Sequence, residues 1–392
     1  MLQVRALMLT SLAMVLGVVS SACASESSGT AATSATTGAA GTAATSVIAA
    51  TVAAAIGTMS TGAASDSTAL VPVSMPDSVP VSTGPESAVP VPVSISVTVT
   101  VPVSPPAEST VPISVTGPLD CGEMVSGNHQ VDVGGVARGY VVDSPPGLDR
   151  SAAAQRAPVI VLFHGFNSNA EQVLATSGLD HLGPDHGVVV VAPQGIGSPT
   201  SWHIGDPSVG DTEFTDRVLE LVRASPCIDP AKIWLAGFSA GSAWTGVYGC
   251  AHTEGIAGLL MHSGLAPPIC PAASTPDLMI VHGTADPVVP FGGGAQTVDT
   301  ASVQLRSVPE STADWASKAG CDALPAITSA GEHVEIAMWS GCVGGRTVSL
   351  QAVDGLGHIW SGGPGAPGLL NPGCVLVQRL TGAADPVAAC LR

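Results

Sequence analysis

The sequence predicts an α/β domain over residues 119–392, a mostly parallel sheet with helices on both faces, preceded by a long disordered linker. Three observations carry that prediction. Apolar runs such as Pro158-Val159-Ile160-Val161-Leu162-Phe163 have no polar face, the mark of strands covered on both sides. Such runs alternate with helical stretches at the spacing of strand–helix–strand crossovers. Every Phe, Tyr and Trp lies at or beyond Tyr140, and no Lys or Arg occurs between Ala24 and Pro118. Only the C-terminal part can therefore build a core and a charged surface.

Residues 1–24 combine one basic residue, Arg5, an apolar run over 7–19, and small residues at 20–22. This is the pattern of a secretory signal peptide, too short for a lasting transmembrane helix. Ser21-Ala22-Cys23 resembles a bacterial lipobox, which makes Cys23 the candidate lipidated residue. Ala22-Cys23-Ala24 also fits ordinary signal peptidase, and the tether that follows favours lipidation. That tether, 25–118, is first Ala, Thr, Ser and Gly and then Val-Pro-Val-Ser units such as Val79-Pro80-Val81-Ser82. Proline at this density excludes helix and sheet interiors and favours extended chain.

The domain opens with an antiparallel pair over 129–142 that turns at Gly134-Gly135. A buried strand over 158–163 leads into His164-Gly165-Phe166-Asn167, followed by a helix at 170–177 and a buried strand at 188–193. An amphipathic helix over 212–224 precedes the strand 232–236. Buried strands are expected at 256–261 and 278–281, a helix at 310–319, and a last strand pair at 334–339 and 347–353.

The net charge is −18, with 12 Lys and Arg against 30 Asp and Glu. Nucleic acid would be repelled and docking on anionic lipid is disfavoured, so a membrane is reached only through the N-terminus. Eight of nine cysteines lie in the domain, which behind an export signal predicts up to four disulfides. Cys321 is expected to pair with Cys342 and Cys374 with Cys390, since each pair brackets a short segment. Cys121, Cys227, Cys250 and Cys270 allow three pairings. No Cys-x-x-Cys or Cys/His cluster has zinc spacing, so no metal or other cofactor is expected.

The stretch Leu235-Ala236-Gly237-Phe238-Ser239-Ala240-Gly241 reads as strand, sharp turn and small-residue helix, a nucleophile elbow with Ser239 at its apex. A serine hydroxyl needs a base to take its proton and a carboxylate to orient the base. Asp286 follows the strand 278–281 and His358 follows 347–353, so nucleophile, acid and base come in that chain order, each after a strand. His262 and His282 lie before or beside the acid and are expected to pack or hydrogen-bond. Asp277 sits at the wrong end of a parallel strand, and Asp211 is expected to cap the helix beginning at 212. The backbone N–H groups of Ala240 and Phe166 are the expected oxyanion donors. Trp202 and Trp360, in loops on the expected active face, are candidate platforms for an acyl group or sugar, with core cover as the alternative.

From about residue 139 to 360 the chain resembles the secreted poly(3-hydroxybutyrate) depolymerase-like and feruloyl esterase group of α/β-hydrolases. The matching elements include His164-Gly165, Ala192-Pro193-Gln194-Gly195, Ser201-Trp202, Gly237-Phe238-Ser239-Ala240-Gly241, His282-Gly283-Thr284-Ala285-Asp286-Pro287 and Gly357-His358-Ile359-Trp360. The resemblance implies the α/β-hydrolase fold, with Ser239 as nucleophile, Asp286 as acid and His358 as base. It departs at Phe166-Asn167-Ser168 and His203-Ile204-Gly205, which puts pocket shape and the second oxyanion donor apart from the family pattern. The expected function is serine carboxylic-ester hydrolysis of small soluble esters or oligomers of feruloyl, acetyl or 3-hydroxyalkanoate type. A displayed binding protein on the same fold and an acyltransferase are the alternatives. The aromatic-free tether offers no surface for stacking on a polymer, which disfavours insoluble substrates.

Overall fold

A computed structural model describes residues 120–150, 156–204, 209–266, 275–298 and 301–391. The expected signal peptide, with Cys23, the expected linker, and Cys270 lie outside them. The strands are β1 (Gly127–Val133), β2 (Val136–Asp143), β3 (Ala157–Phe163), β4 (Val189–Pro193), β5 (Ile196–Gly197), β6 (Thr200–Ser201), β7 (Ile228–Phe238), β8 (Gly258–His262), β9 (Asp277–Gly283), β10 (Gly294–Val298), β11 (Ala301–Leu305), β12 (Ala326–Ala330), β13 (Val334–Trp339) and β14 (Val348–Val353). The helices are α1 (Ala170–Ser177), α2 (Leu179–Asp185), α3 (Asp211–Ala224), α4 (Ala240–Ala251), α5 (Val308–Lys318), α6 (Pro372–Leu380) and α7 (Pro386–Cys390).

Ten strands form one sheet in the order β1-β2-β4-β3-β7-β8-β9-β14-β13-β12. The middle six run parallel and an antiparallel pair closes each edge. Along β3, Val159, Val161 and Phe163 enter one core while Ile160 and Leu162 enter the other. That two-sided burial is why the strand reads as an unbroken apolar run. Phe214 and Val218 of α3, Trp244 of α4 and Trp315 of α5 cover one face. Val173 and Leu174 of α1, Leu179 of α2 and Leu376 of α6 cover the other. This is the α/β-hydrolase architecture, as expected.

Three local features differ from the expectation. Helix α2 holds Gly183 and Pro184, a poor helical sequence, but a Cβ at Gly183 would run into the Val190 side chain, so the glycine lets α2 lie against β4. Neither β12 nor the β10–β11 hairpin was foreseen. Asp211 does not cap α3: it is the first helical residue, with Gly210 at the cap position. Its buried carboxylate accepts from Arg138 Nη2 at 2.8 Å and from the His203 N–H at 2.8 Å. A charge so deeply buried requires a partner, and Arg138 reaches it from β2.

Cys321–Cys342 and Cys374–Cys390 pair as expected, and Cys121–Cys227 ties the start of the domain to the entry of β7. Cys250 is also disulfide-bonded.

The chain steps outward from β3 to β4 on one side and from β7 through β8 to β9 on the other. The strand order reverses between β3 and β7, and in open α/β sheets a crevice forms at the carboxyl ends of the strands at such a point. Gly165 follows β3 there, and Ser239 follows β7.

Candidate active site

Ser239 has φ 54° and ψ −117°, left-handed backbone that a residue with a side chain rarely adopts, at a cost of about 1–3 kcal/mol. The surroundings hold it there. Its N–H donates to His262 O at 2.9 Å and its carbonyl accepts from the Ala243 N–H at 3.0 Å. A Cβ at Gly237 would occupy the Gly241 carbonyl, and one at Gly241 would meet the Phe163 and His164 carbonyls. Both glycines are therefore steric requirements of passing α4 across the end of β3. Helix α4 begins at Ala240, and the first-turn N–H groups of a helix have no partner within it and favour negative charge.

The structure brings Ser239, His358 and Asp286 together. His358 Nε2 lies 2.9 Å from Ser239 Oγ, and His358 Nδ1 lies 2.8 Å from Asp286 Oδ2. Asp286 Oδ1 accepts the N–H groups of Val288 at 2.8 Å and Val289 at 2.9 Å. Burial by itself would raise the Asp286 pKa, but the hydrogen bonds from His358 and the two backbone N–H groups, with the His358 charge, hold it below the ordinary carboxyl value. Such a carboxylate stays ionised and keeps the proton of a neighbouring imidazole on Nδ1.

The other two histidines pack or hydrogen-bond. His282 is buried, donates from Nε2 to Val289 O at 2.8 Å, and has its pKa lowered by that burial. His262 is buried and stacks on Trp360 at a ring separation of 4.8 Å. Asp277, at the first position of β9, accepts from the Thr347 N–H at the far end of the sheet.

A cleft of about 320 Å³ opens onto Ser239 and His358. Its apolar wall includes Phe166, Val173, Phe238, Ile359 and Trp360, and Asn167, Gln172 and Thr176 add polar groups. Phe166, the expected second oxyanion donor, lines the cleft. The turn around it is set by Asn167, at φ 54°, whose N–H donates to Thr200 O at 2.8 Å. The His164 ring beneath accepts the Gly195 N–H on Nε2 at 2.9 Å, leaving Nδ1 to donate to Gly165 O at 2.7 Å. Trp360 lines the cleft, whereas Trp202 does not. Trp202 is 1% exposed, donates from Nε1 to His164 O at 2.9 Å and stacks on Trp244, so its role is to support the strand end from inside the core. Sequence reasoning missed Val173 and Thr176, although their three-residue spacing puts them on one side of α1.

The family described as Esterase PHB depolymerase matches residues 139–332. The domain belongs to the poly(3-hydroxybutyrate) depolymerase-like esterase family. The match contains Ser239 and Asp286 and ends before His358. The chain is 27% identical to feruloyl esterase B of Piromyces equi over 232 residues, 56% of this chain and 42% of that protein. It is 25% identical to feruloyl esterase C of Emericella nidulans over 192 residues, 46% of this chain and 66% of that one. It thus spans less than half the length of the first relative and about two thirds of the second. Among solved structures, an acetyl xylan esterase from Aspergillus awamori superposes with a TM-score of 0.45 at 16% identity, over 60% of this chain and 94% of its own.

Proposed function

We propose that this chain is an extracytoplasmic serine esterase that hydrolyses small soluble carboxylic esters through Ser239, His358 and Asp286. The observation that carries the reading is the continuous line from Asp286 Oδ2 through His358 to Ser239 Oγ, with steps of 2.8 and 2.9 Å, opening onto the cleft. His358 Nε2 takes the Ser239 proton as Oγ attacks the ester carbonyl carbon, and the carbonyl oxygen becomes an oxyanion received by the N–H groups of Ala240 and Phe166. Collapse of the tetrahedral intermediate expels the alcohol, which takes the proton from His358. Water then attacks the acyl-enzyme by the same route, releases the acid and restores Ser239. Asp286 keeps the imidazole in the Nδ1–H tautomer and stabilises the imidazolium.

Two matched relatives are feruloyl esterases by name, and the aromatic wall of Phe166, Phe238 and Trp360 suits a planar acyl group. Acetyl and short 3-hydroxyalkanoyl esters would also fit a cleft of about 320 Å³. The disulfides Cys121–Cys227, Cys321–Cys342 and Cys374–Cys390 favour an oxidising compartment, reached by the signal peptide and, in this reading, retained through a lipid on Cys23.

Ser239→Ala tests the chemistry: hydrolysis of a p-nitrophenyl ester should fall by about 10⁴-fold or more, with melting unchanged. A fluorophosphonate probe should label the parent and not the variant. A folded Ser239→Ala protein with near-parental activity would refute the assignment. For the substrate, methyl ferulate, acetylated xylo-oligosaccharide, hydroxybutyrate oligomers and granular polymer are to be compared by kcat/KM, and the highest value on the granules would reject the small-ester reading.

A further inference from the structure

His262 is fully buried beside the line from Asp286 through His358 to Ser239, and its ring makes no hydrogen bond in that line. It ends β8, directly opposite Phe238 at the end of β7. Its carbonyl accepts the Ser239 N–H at 2.9 Å. Its ring Nε2 accepts the Ser361 N–H at 3.0 Å, and its Nδ1 stands 3.0 Å from Ser263 Oγ. A backbone N–H can only donate, so Nε2 must present a lone pair and the neutral ring carries its proton on Nδ1, toward Ser263. The ring stacks on Trp360 and lies 5.4 Å from Phe238, which in turn lies 5.1 Å from His358 and 6.2 Å from Trp360.

We propose that His262 is a positioning residue for ester hydrolysis, registering the base against the nucleophile by holding Ser239 through its carbonyl and the 358–361 loop through Nε2. The inference rests on the serine-esterase reading above. His358 arrives on a loop with Gly355 and Gly357, two residues of wide backbone freedom, between the end of β14 and Ser361. The near end of that loop is fixed by the Ala285 N–H on Leu356 O at 3.1 Å. The far end is fixed by Ser361, whose N–H meets His262 and whose Oγ donates to Leu370 O at 2.8 Å. His358 thus spans two anchors, and the second leads to the residue that already fixes the Ser239 N–H.

The tie depends on a neutral ring. Burial, and then the nearby His282 and His358, push His262 well below the ordinary histidine pKa, and Asp286 opposes this without cancelling it. Protonated, the ring would present Nε2–H to the Ser361 N–H, two donors face to face. Removal of the acceptor is costly for a different reason, because it leaves the buried Ser361 N–H without the Nε2 lone pair it donates to.

The test uses the full chain. His262→Phe keeps a ring against Trp360 and removes the acceptor, while His262→Gln supplies an oxygen near the Nε2 position. His262→Phe should lower kcat about 10- to 100-fold with KM within about twofold of the parent, since misplacement of a reacting group by 1 Å costs on this order. His262→Gln should recover most of that loss. Parental kcat in the Phe variant, a change in KM alone, or an equal loss in the Gln variant would overturn the proposal. A reading independent of any variant comes from ¹⁵N NMR of the parent, where His262 should show the Nδ1–H tautomer and stay neutral where an ordinary histidine protonates; an Nε2–H tautomer or an ordinary titration would also overturn it. An active Ser239→Ala protein would instead remove the esterase reading, whereas inactive Ser239→Ala beside fully active His262→Phe would remove this inference alone.

Discussion

Asp286→Asn removes one charge and almost no volume, and the geometry fixes which way the new amide must face. Asp286 Oδ1 receives two backbone N–H groups, at 2.8 and 2.9 Å. An asparagine that turned its NH₂ toward them would lose both hydrogen bonds, at about 0.5–1.5 kcal/mol each, and oppose donors to donors. Its oxygen therefore stays with Val288 and Val289, and its NH₂ faces His358 Nδ1, where the carboxylate stood at 2.8 Å. Two donors cannot share that space, so His358 gives up the Nδ1 proton and carries it on Nε2, pointing at Ser239 Oγ. In that tautomer the ring cannot accept the serine proton. The expected fall in kcat is about 10⁴-fold, close to 5.4 kcal/mol at 1.36 kcal/mol per factor of ten. Asp286→Ala leaves the tautomer free, so the more isosteric Asn should be no better a substitute than Ala. The assay is kcat for a short p-nitrophenyl ester, with melting recorded for each variant. A folded Asn variant retaining a tenth of parental kcat would refute the tautomer argument.

Trp360→Ala should raise KM for aromatic esters, while Trp202→Ala should leave KM unchanged and destabilise by about 3–5 kcal/mol as a core deletion; a KM effect in Trp202→Ala without a change in melting would reverse that assignment. His164, His262 and His282 all have pKa values lowered by burial, so below about pH 6.5 the unfolded chain binds protons that the folded one does not, and stability should fall as pH drops, by at most about 1.4 kcal/mol per pH unit for each. The depressed Asp286 acts in the same direction at lower pH, its contribution being lost below about pH 3.9. Equal melting temperatures at pH 8 and pH 5 would contradict this. Replacing Cys121 and Cys227 together should cost more than replacing Cys374 and Cys390, about 4.7 against 3 kcal/mol in the chain-entropy account, since they close 106 and 16 residues. Chemical unfolding of the two double variants checks the order.

The central strands were legible because burial on both faces leaves no polar residue to break the pattern, as along β3. The Ser239, Asp286 and His358 set was legible for a different reason: each follows a parallel strand, and in this topology the carboxyl ends of those strands converge. What lay beyond the sequence was decided by distant partners. Asp211 carries the signature of a helix cap, and only Arg138, 73 residues away, converts it into a buried ion pair. Trp202 and Trp360 occupy similar loops, and what separates them is whether the indole N–H finds the His164 carbonyl inside the core or the ring meets the cleft. Helix α2 has a glycine and a proline where propensity forbids them, and the glycine is explained by contact with β4. The start of α6, Asn371-Pro372, is an N-cap followed by proline at the first helical position, a local signal present in the sequence although no helix was expected there.

The elbow is where local backbone preference and the fold disagree most sharply, and the surroundings resolve the conflict by over-determining it. Ser239 is fixed by His262, by Ala243, by glycines that admit no side chain, and by Gly264, where a Cβ would collide with the Ser239 carbonyl. The cleft is built from other parts: α1 supplies Gln172, Val173 and Thr176, while the loop after β14 supplies Ile359 and Trp360 together with His358. The two walls should therefore respond differently to substitution. Helix α1 shares no residue with the relay, so changes at Val173 or Thr176 can alter the acyl group accepted while leaving the 2.9 Å contact between His358 and Ser239 in place. Changes at Ile359 or Trp360 sit between His358 and its anchor at Ser361, so they act on selectivity and rate together.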